Sequence, residues 1–363
     1  MKTYLGTGSG GSAKKMVAEA TKGLINPSLI LTISPYNYLS DISTLLKEQY
    51  PAAQIIGTSG TSLSQGEVDD NKLILTAFYD DIIASCGIIE QVTTTPARAL
   101  ADIETHLNAV SPDKKNTVCI AFTTAGEELL VTTLNAVLEK KQINLIGGSV
   151  FGYPDTALAE VALNGKTYAN ACAYVFIKNK TGRIRVYKEN LYEKATHSIH
   201  YVTKADPEHR KLIELDHQPA LTVYCKEMGI PKDKAMDYVL TNPLGRVVDD
   251  DIFISSFAST NSDNTINMYK TLSQNDSIYI LDLVDYETII ADTQNKMKAD
   301  FPHISLIFSV DCIYRYLLFE SKHYTKTYAK NFASFAPHVG VIGGGEQYNN
   351  QHVNQTMVCA VFE

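Results

Sequence analysis

A pattern of apolar strands, one amphipathic helix and a glycine-ended strand recurs along the chain. In its first occurrence, residues 29–34 form an apolar run typical of a buried strand, and residues 39–50 have helical spacing. Residues 54–60 then predict a strand that ends in glycine, and residues 72–80 predict a return strand. The pattern thus gives one unit: strand, helix, glycine-ended strand, return strand.

Two further segments repeat this unit. The second has apolar residues 117–124, helical spacing over 127–141 and a glycine-ended run at 144–152, followed by two more predicted strands. In the third, a strand at 304–310 leads through a long helix, 313–332, to a glycine-ended strand at 339–346, and a last apolar strand closes the chain. Helical crossovers favour parallel neighbours, whereas the return strands favour antiparallel pairing.

The predicted fold class is therefore α/β, with mixed parallel and antiparallel sheets joined by helical crossovers. Its 363 residues suffice for two domains with separate cores. The stretch 191–217 is polar and charged and is interpreted as a linker. We accordingly predict two related α/β domains, over residues 1–190 and 218–363.

Composition narrows the functional class. The net charge is −8 without a Lys/Arg-rich stripe, which argues against a nucleic-acid or anionic-membrane footprint. The chain lacks a signal-peptide core, and no run approaches the ~18 apolar residues of a membrane span, so a cytoplasmic location is expected. Six cysteines are dispersed without a C-x-x-C pair, which indicates buried free thiols rather than a zinc or redox site.

Familiar catalytic signatures are absent from the sequence. Neither G-x-S-x-G nor H-E-x-x-H occurs, and the histidines are scattered. Residues 6–11 satisfy G-x-G-x-x-G, but no acidic residue ends the next predicted strand. A flexible lead-in to a helix is therefore favoured over phosphate binding, and no catalytic residue or metal ligand is predicted.

The last 24 residues carry the most informative polar cluster. An apolar strand runs into three glycines and Glu346, and Asn354 and Thr356 precede the final strand. Glycine permits close approach of the backbone to a ligand, so this segment is a plausible floor for a small-molecule site. The alternative is a tight hairpin in which the Asn and Gly residues serve only the turn.

A second cluster lies where the third unit passes from strand to helix. Cys312 and Arg315 fall at this junction, beside Asp311. Backbone N–H groups at a helix start favour an anion, and arginine presents a bidentate fork to a carboxylate or phosphate. Alternatively, Asp311 caps the helix and Arg315 pairs with Glu320 or Glu346. A third segment, 241–251, places Arg246 directly after a turn.

Taken in order, these segments resemble the FIST family of sensory modules, which has an N part and a C part, from about residue 29 to the end. In the N part, residues 55–78 are similar to a G-C-S-T-A-G-E-I stretch, with Gly57 and Ser59 matching and Thr58 replacing the usual cysteine. Residues 146–177 are similar to its closing segment, which includes Gly148 and Ser149.

The C part of the resemblance rests on several short motifs. Residues 211–230 are similar to a Pro-Ala…Tyr run, and residues 241–248 to a Pro-Leu-Gly segment. Cys312 and Arg315 match an F-S-C-x-x-R pattern. The family's C-terminal motif is matched at Gly340, Gly345, Glu346, Asn354 and Thr356, while Gln347 and Val353 depart from it.

The resemblance implies a sensory protein that binds a small molecule such as an amino acid and signals through a separate protein, for example a histidine kinase or chemotaxis component. As hypothesised roles, Arg315 holds a ligand carboxylate and Glu346 an ammonium group. Asn354, Thr356 and residues 57–59 complete the hydrogen bonds. The full predicted set is Arg315, Glu346, Asn354, Thr356, Cys312, Gly345, Gly57, Thr58, Ser59, Gly148, Ser149 and Arg246.

Two alternatives stay open at this point. Some members of the family are reported to sense nitric oxide through haem, although no cofactor is predicted here. A haem would need an axial ligand such as His217, His338, His352 or Cys312. The other alternative is an enzyme that uses Cys312 as nucleophile near Glu346, but no histidine base is visible at a suggestive spacing.

Overall fold

The fold is known from a computed structural model, which describes residues 1–151, 158–195, 199–248 and 251–363. Short 3₁₀ helices span Tyr36–Tyr38, Pro96–Ala99, Glu139–Lys141 and Lys232–Tyr238. The α-helices are α1 (Ala13–Ala20), α2 (Leu39–Gln49), α3 (Leu100–Ala109), α4 (Glu127–Leu138), α5 (Ala220–Met228), α6 (Tyr286–Asp300), α7 (Ile313–Ser321) and α8 (Thr325–Phe335).

The strands fall into an N-terminal and a C-terminal series. The first series is β1 (Thr3–Gly8), β2 (Leu29–Ser34), β3 (Gln54–Ser59), β4 (Ser62–Ser64), β5 (Glu67–Asp69), β6 (Leu73–Phe78), β7 (Ile82–Glu90), β8 (Thr117–Thr123), β9 (Asn144–Ser149), β10 (Val161–Leu163), β11 (Lys166–Tyr168), β12 (Ala171–Asn179) and β13 (Ile184–Glu189). The second series is β14 (Tyr192–Lys194), β15 (His200–Asp206), β16 (Lys211–Leu215), β17 (Gln218–Pro219), β18 (Leu244–Val248), β19 (Asp251–Ser255), β20 (Phe257–Thr260), β21 (Ile266–Met268), β22 (Ser277–Leu283), β23 (Leu306–Cys312), β24 (His338–Gly343), β25 (Glu346–Tyr348), β26 (Gln351–Val353) and β27 (Met357–Phe362).

The recurring unit appears in the structure as a recurring sheet. In the first sheet, β2 and β3 are parallel neighbours joined through α2, and β6 lies antiparallel to β2. In the second, β8 and β9 are joined through α4, with β12 antiparallel to β8. In the third, β23 and β24 are parallel and β27 is antiparallel to β23. The predicted mixed α/β fold is confirmed.

Two predicted element bounds need adjustment. The predicted helix over 313–332 is two helices, α7 and α8, because the chain turns at His323, whose φ of 54° lies in the left-handed region and interrupts the helix. The predicted strand over 144–152 ends as β9 at Ser149, and its final position, 152, lies outside the described residues.

Each sheet is completed by a hairpin from another unit. The hairpin β4–β5 of the first unit pairs with β24 of the third, and β10–β11 of the second pairs with β3 of the first. The hairpin β25–β26 of the third unit pairs with β9 of the second. Within the described chain, the three units therefore exchange hairpins in a closed cycle, which we call the hairpin exchange.

The three sheets pack around one shared apolar core. The strands β2, β8 and β23 are buried along their whole length, which explains why each reads as a continuous apolar run. Phe122 of β8 meets Phe308 of β23 with ring centroids 6.1 Å apart. A methyl group at Gly148 would lie 2.5 Å from Cγ1 of Val310, so this packing requires glycine.

A further sheet is inserted between the second and third units. Its strands run in the order β19-β18-β22-β15-β16-β21-β20, with β14 against β22 and β17 against β16. We call it the inserted sheet; α5 packs on it through a core that includes Leu215, Tyr224 and Phe257. The described part of the segment 191–217 contributes β14, β15 and β16 to this sheet. Alternating buried and exposed positions, as in β15, give these strands their polar appearance.

No helix of the described chain combines the length and apolar character that crossing a bilayer requires.

Candidate functional site

A cavity of about 390 Å³ opens between the inserted sheet and the third unit. We call it the junction cavity. The residues that line it are Phe151, Ser256, Tyr269, Cys312, Ile313, Tyr314, Leu317, Gly344 and Asn354. Two of the predicted ligand-binding residues, Cys312 and Asn354, are thus brought together, and both belong to the third unit.

The polar groups of the cavity lie on buried positions. Cys312 ends β23 and caps α7, and its backbone N–H donates to the carbonyl oxygen of Thr356 over 3.1 Å. The backbone N–H of Ser256 donates to Oδ1 of Asn354 at 3.4 Å. The hydroxyl of Ser256 accepts from Nε2 of Gln355 at 2.8 Å, which leaves its own proton free to donate. These groups form the floor of the cavity.

The mouth of the cavity is apolar and aromatic. Tyr269 and Leu317 are each 41% exposed, so they lie nearest to solvent. The Tyr269 ring stands almost perpendicular to that of Tyr314, at 87° with centroids 5.5 Å apart. The Tyr314 hydroxyl donates to the carbonyl oxygen of Phe257 at 2.8 Å, which fixes the helix α7 to the inserted sheet.

Glu346 lies behind the floor and is fully buried. One of its oxygens accepts two hydrogen bonds from Thr356, from the backbone N–H at 3.1 Å and from the hydroxyl at 2.7 Å. Burial raises the pKa of Glu346 to about 8, and it also raises the pKa of the neighbouring Cys312 thiol, with Glu346 adding to that rise. The raised pKa favours the neutral carboxyl, and the role proposed for Glu346, holding a ligand ammonium group, stays a prediction.

Arg315 has internal ion-pair partners in the structure, which favour the alternative in which it stabilises packing. Its side chain is fully buried and forms ion pairs with Glu189 and with Asp311, the latter at 3.3 Å from Nε to Oδ1. Its guanidinium carbon lies 4.8 Å from the ring centroid of Phe319 and 5.2 Å from that of Tyr328. Because both carboxylates and both rings already surround it, the guanidinium is unavailable to a ligand carboxylate and locks the third unit instead.

The glycine-ended strands converge at a different place. Thr58, Ser59, Gly148 and Ser149 meet around a space of only about 10 Å³, together with the end of β24. This space is at the lower limit for a single water molecule, so it cannot hold a metabolite. Gly57 lies within β3, where a methyl group would meet the Thr32 hydroxyl at 2.5 Å.

The remaining predicted residues have structural contacts. A methyl group at Gly345 would lie 2.6 Å from Cε1 of His352, so this glycine lets the turn pack on the imidazole. Arg246 lies on β18 of the inserted sheet and pairs with Asp276 at 3.3 Å. Neither residue lines the junction cavity.

A partly buried charged cluster connects the inserted sheet to the second unit. Arg210 contacts Glu127 at 2.9 Å and Glu128 at 2.6 Å, both in the first turn of α4. Lys270 donates to the carbonyl oxygen of His352, and burial lowers the pKa of Lys270 to about 7. Burial likewise lowers the pKa of His352, although Glu127 and Glu128 oppose that effect. We call these residues the junction cluster.

Sequence reasoning missed the contribution of the inserted sheet. Ser256 and Tyr269 come from its strands and turns, and no local motif distinguishes them from other Ser and Tyr residues. The junction cluster joins Glu127 and Arg210, which are far apart in the chain, so no spacing signal existed for it either. The usable signals were the position of Cys312 at the strand-to-helix junction and the polar cluster that contains Asn354.

The residues of the cavity do not fit haem. His217 is exposed on the inserted sheet, His338 is buried against the Ser309 hydroxyl at 2.8 Å, and His352 belongs to the junction cluster. Of the four candidate axial ligands only Cys312 lines the cavity, and its raised pKa disfavours the thiolate. Among the described lining residues no cationic side chain is present to meet the propionates.

In the ranges that the structure describes, no three His, Cys, Asp or Glu residues are grouped as a metal site. The cysteines Cys86, Cys119, Cys172, Cys225, Cys312 and Cys359 are free and buried. Cys312 has no histidine beside it among the described residues that line the cavity; the ionisable group next to its thiol is the Glu346 carboxyl.

Comparison with known proteins gives two family matches that adjoin one another. The FIST N domain matches residues 28–218, and the FIST C domain matches residues 220–349. No curated protein matches the chain.

Similarity to solved structures is weak. A cyanuric acid hydrolase shares 8% identity, with 99% of this chain and 98% of that chain covered at a TM-score of 0.35. PurLQS from Thermotoga maritima also shares 8% identity, with 99% of this chain and 72% of that chain covered at a TM-score of 0.20. Scores this low carry no argument about fold or activity.

Proposed function

Because the chain belongs to the FIST family, whose domains are associated with sensory signal transduction, we propose that it is a sensor that binds a small molecule in the junction cavity. The observation that carries this proposal is the cavity itself. Its volume of about 390 Å³ falls in the range of roughly 300–1,000 Å³ that is usual for small-molecule sites. Its walls are mostly apolar with a few polar groups, as such sites require.

The position of the cavity supports a signalling role. Its walls come from the inserted sheet, through Ser256 and Tyr269, and from the third unit, through Cys312 and Tyr314. A ligand held between them contacts both parts at once. Occupancy would therefore bias how the two parts sit against each other, and a ligand can shift such an equilibrium only through this kind of differential contact.

The output in this proposal passes to a separate signalling protein in the cytoplasm. The free, buried cysteines are the thiol usage expected in a reducing compartment. The surface around Tyr269 and Leu317, at the cavity mouth, is where ligand-dependent exposure would change first.

A variant that fills the cavity tests the proposal. Gly344 lines the cavity, and the atoms nearest to a methyl group there are Cδ1 of the lining residue Phe151 at 3.6 Å and atoms of Ser149 at 3.7 Å, all at ordinary contact distance, so leucine at this position should reduce the cavity. Gly11→Leu is the matched control, because nothing lies within 4 Å of a methyl group at Gly11. Both variants should fold.

The assay is a screen of uncharged and charged fragments by saturation-transfer NMR against the wild type and both variants. We expect fragments that bind the wild type and Gly11→Leu but lose binding in Gly344→Leu. If no fragment shows this dependence on position 344, the junction cavity is not the sensory site.

A further inference from the structure

We infer that the ligand of the junction cavity is an uncharged molecule with a flat ring and one hydrogen-bond-accepting end, bound with that end on the floor. This inference rests on the proposed function and specifies the ligand class of the same site. It differs from the amino-acid-like zwitterion expected from the sequence.

The charge of the ligand follows from what surrounds the cavity. Its polar lining residues in the described chain are Ser256, Cys312, Asn354 and two tyrosines, all of which are neutral. The cations nearby are already engaged, Arg315 with two carboxylates and Lys270 with the carbonyl of His352. A carboxylate or ammonium on the ligand would therefore be desolvated without a counter-charge.

The shape of the ligand follows from the rings. Tyr269 and Tyr314 meet at 87°, so one ring offers a face where the other offers an edge. The Phe151 ring also lines the cavity, and the backbone of Gly344 approaches it without an intervening side chain. An aromatic ligand gains edge-to-face or offset-stacked contacts with these rings.

The orientation follows from burial. The mouth residues Tyr269 and Leu317 are partly exposed, whereas Ser256, Cys312 and Asn354 on the floor are buried. The Ser256 hydroxyl has a proton to donate because its oxygen already accepts from Gln355. The thiol of Cys312 is hydrogen-bonded to Glu346, so Ser256 supplies the side-chain donor of the floor. A carbonyl, amide or ring nitrogen on the ligand meets this donor only if it points inward.

The test is a series of aromatic fragments in which each ring is present as its carboxamide, its carboxylate and its aminomethyl derivative. Dissociation constants are measured by NMR titration at pH 7 with the wild type and Gly344→Leu. Within each cavity-dependent set, we expect the carboxamide to bind at least tenfold more tightly than either charged form. A carboxylate or amine that binds equally or more tightly in the cavity overturns the inference and leaves the sensor proposal standing. If no member binds in a manner that depends on position 344, both proposals fail.

Two variants test the charge and orientation separately. Leu317→Lys adds a cation at the exposed mouth and should tighten carboxylate binding at least threefold without improving the carboxamides; Ile25→Lys, at an exposed position, is its control. Ser256→Ala should weaken carboxamides at least threefold but leave the same rings without the carboxamide unchanged. If Ser256→Ala weakens binding equally for rings with and without the carboxamide, the polar end of the ligand does not point to the floor.

Discussion

Replacing Arg315 with alanine should destabilise the fold rather than selectively abolish ligand binding. The side chain is fully buried, and its guanidinium is the counter-charge of Glu189, which is buried to the same extent. Without it, one carboxylate stays in the interior with no cation, and a second, Asp311, loses its ion pair at 3.3 Å. The rings of Phe319 and Tyr328 lose a cation that lies about 5 Å from their centroids.

The expected magnitude follows from these contacts. Removing one partner of a buried ion pair costs about 3–5 kcal/mol, because the other charge remains desolvated. Asp311 contributes less to this loss, because it still accepts hydrogen bonds from Ser309 at 3.0 Å and from Tyr328 at 2.7 Å. Burial also raises the pKa of Asp311, which favours its neutral form. We therefore expect Arg315→Ala to lower the free energy of unfolding by about 4 kcal/mol.

Urea unfolding followed by circular dichroism measures this loss. The matched control is Arg183→Ala, because Arg183 pairs with Glu363 at 3.1 Å but is 52% exposed; a surface pair contributes about 0–1 kcal/mol. The double variant Arg315→Met with Glu189→Gln removes both charges of the pair and should recover at least half of the loss. A loss for Arg315→Ala no greater than that of the control would refute the reasoning. So would a variant that keeps its unfolding midpoint but no longer binds a ligand of the junction cavity.

The remaining predictions concern pH, reactivity, packing and cofactor. The pKa of Glu346 is raised in the folded state from about 4.5 to about 8, so its contribution to stability is present below pH 4.5 and is lost as pH rises through 8. Glu346→Gln should therefore have a higher melting temperature than the wild type at pH 8 but not at pH 4.5. A difference in melting temperature that does not change with pH would contradict this. Cys312 should react with iodoacetamide at pH 8 more slowly than a small free thiol, as followed by mass spectrometry, since burial raises its pKa; a faster reaction would revive the nucleophile hypothesis. Gly148→Ala should cost about 1–3 kcal/mol in thermal or urea unfolding because its methyl group would lie 2.5 Å from Cγ1 of Val310, whereas Gly11→Ala should cost nothing measurable. Titration with haemin should give no stoichiometric Soret band, and a saturable band at one equivalent would restore the haem hypothesis.

The repeated unit was predictable because its strands are buried on both faces. The predicted strand at 29–34 is β2, and the predicted helix at 127–141 is α4 with its following 3₁₀ turn. A strand buried on both faces is visible in the sequence as a continuous apolar run.

The strands of the inserted sheet do not form such continuous apolar runs. Strand β15 alternates buried and exposed positions, so the stretch that contains it has the polar composition of a linker. The sequences of the short hairpins do not indicate their pairing partners either. Strands β4 and β5 have three residues each, and no local pattern predicts that β4 pairs with β24 near the other end of the chain.

The candidate site was only partly predictable for a similar reason. The strand-to-helix junction drew attention to Cys312, which lines the cavity. Arg315 stands one turn further on, and its role depends on Glu189 of β13, a residue that no local spacing connects to it. A charged group with no visible partner in the sequence resembles a ligand anchor, whereas in the fold it forms a buried ion pair with Glu189.

The hairpin exchange has a consequence for how this protein is made. During synthesis, the first sheet cannot be completed until β10–β11 has been made, and the second cannot be completed until β25–β26 has been made. The third sheet needs the hairpin β4–β5, which is synthesised near the start of the chain. The edge of β9 therefore stays without its final partner until translation has nearly finished. Contacts between such distant segments are slow to form, and open strand edges attract other chains in the meantime. Nascent and truncated forms of this protein should accordingly depend on chaperones far more than the finished molecule does.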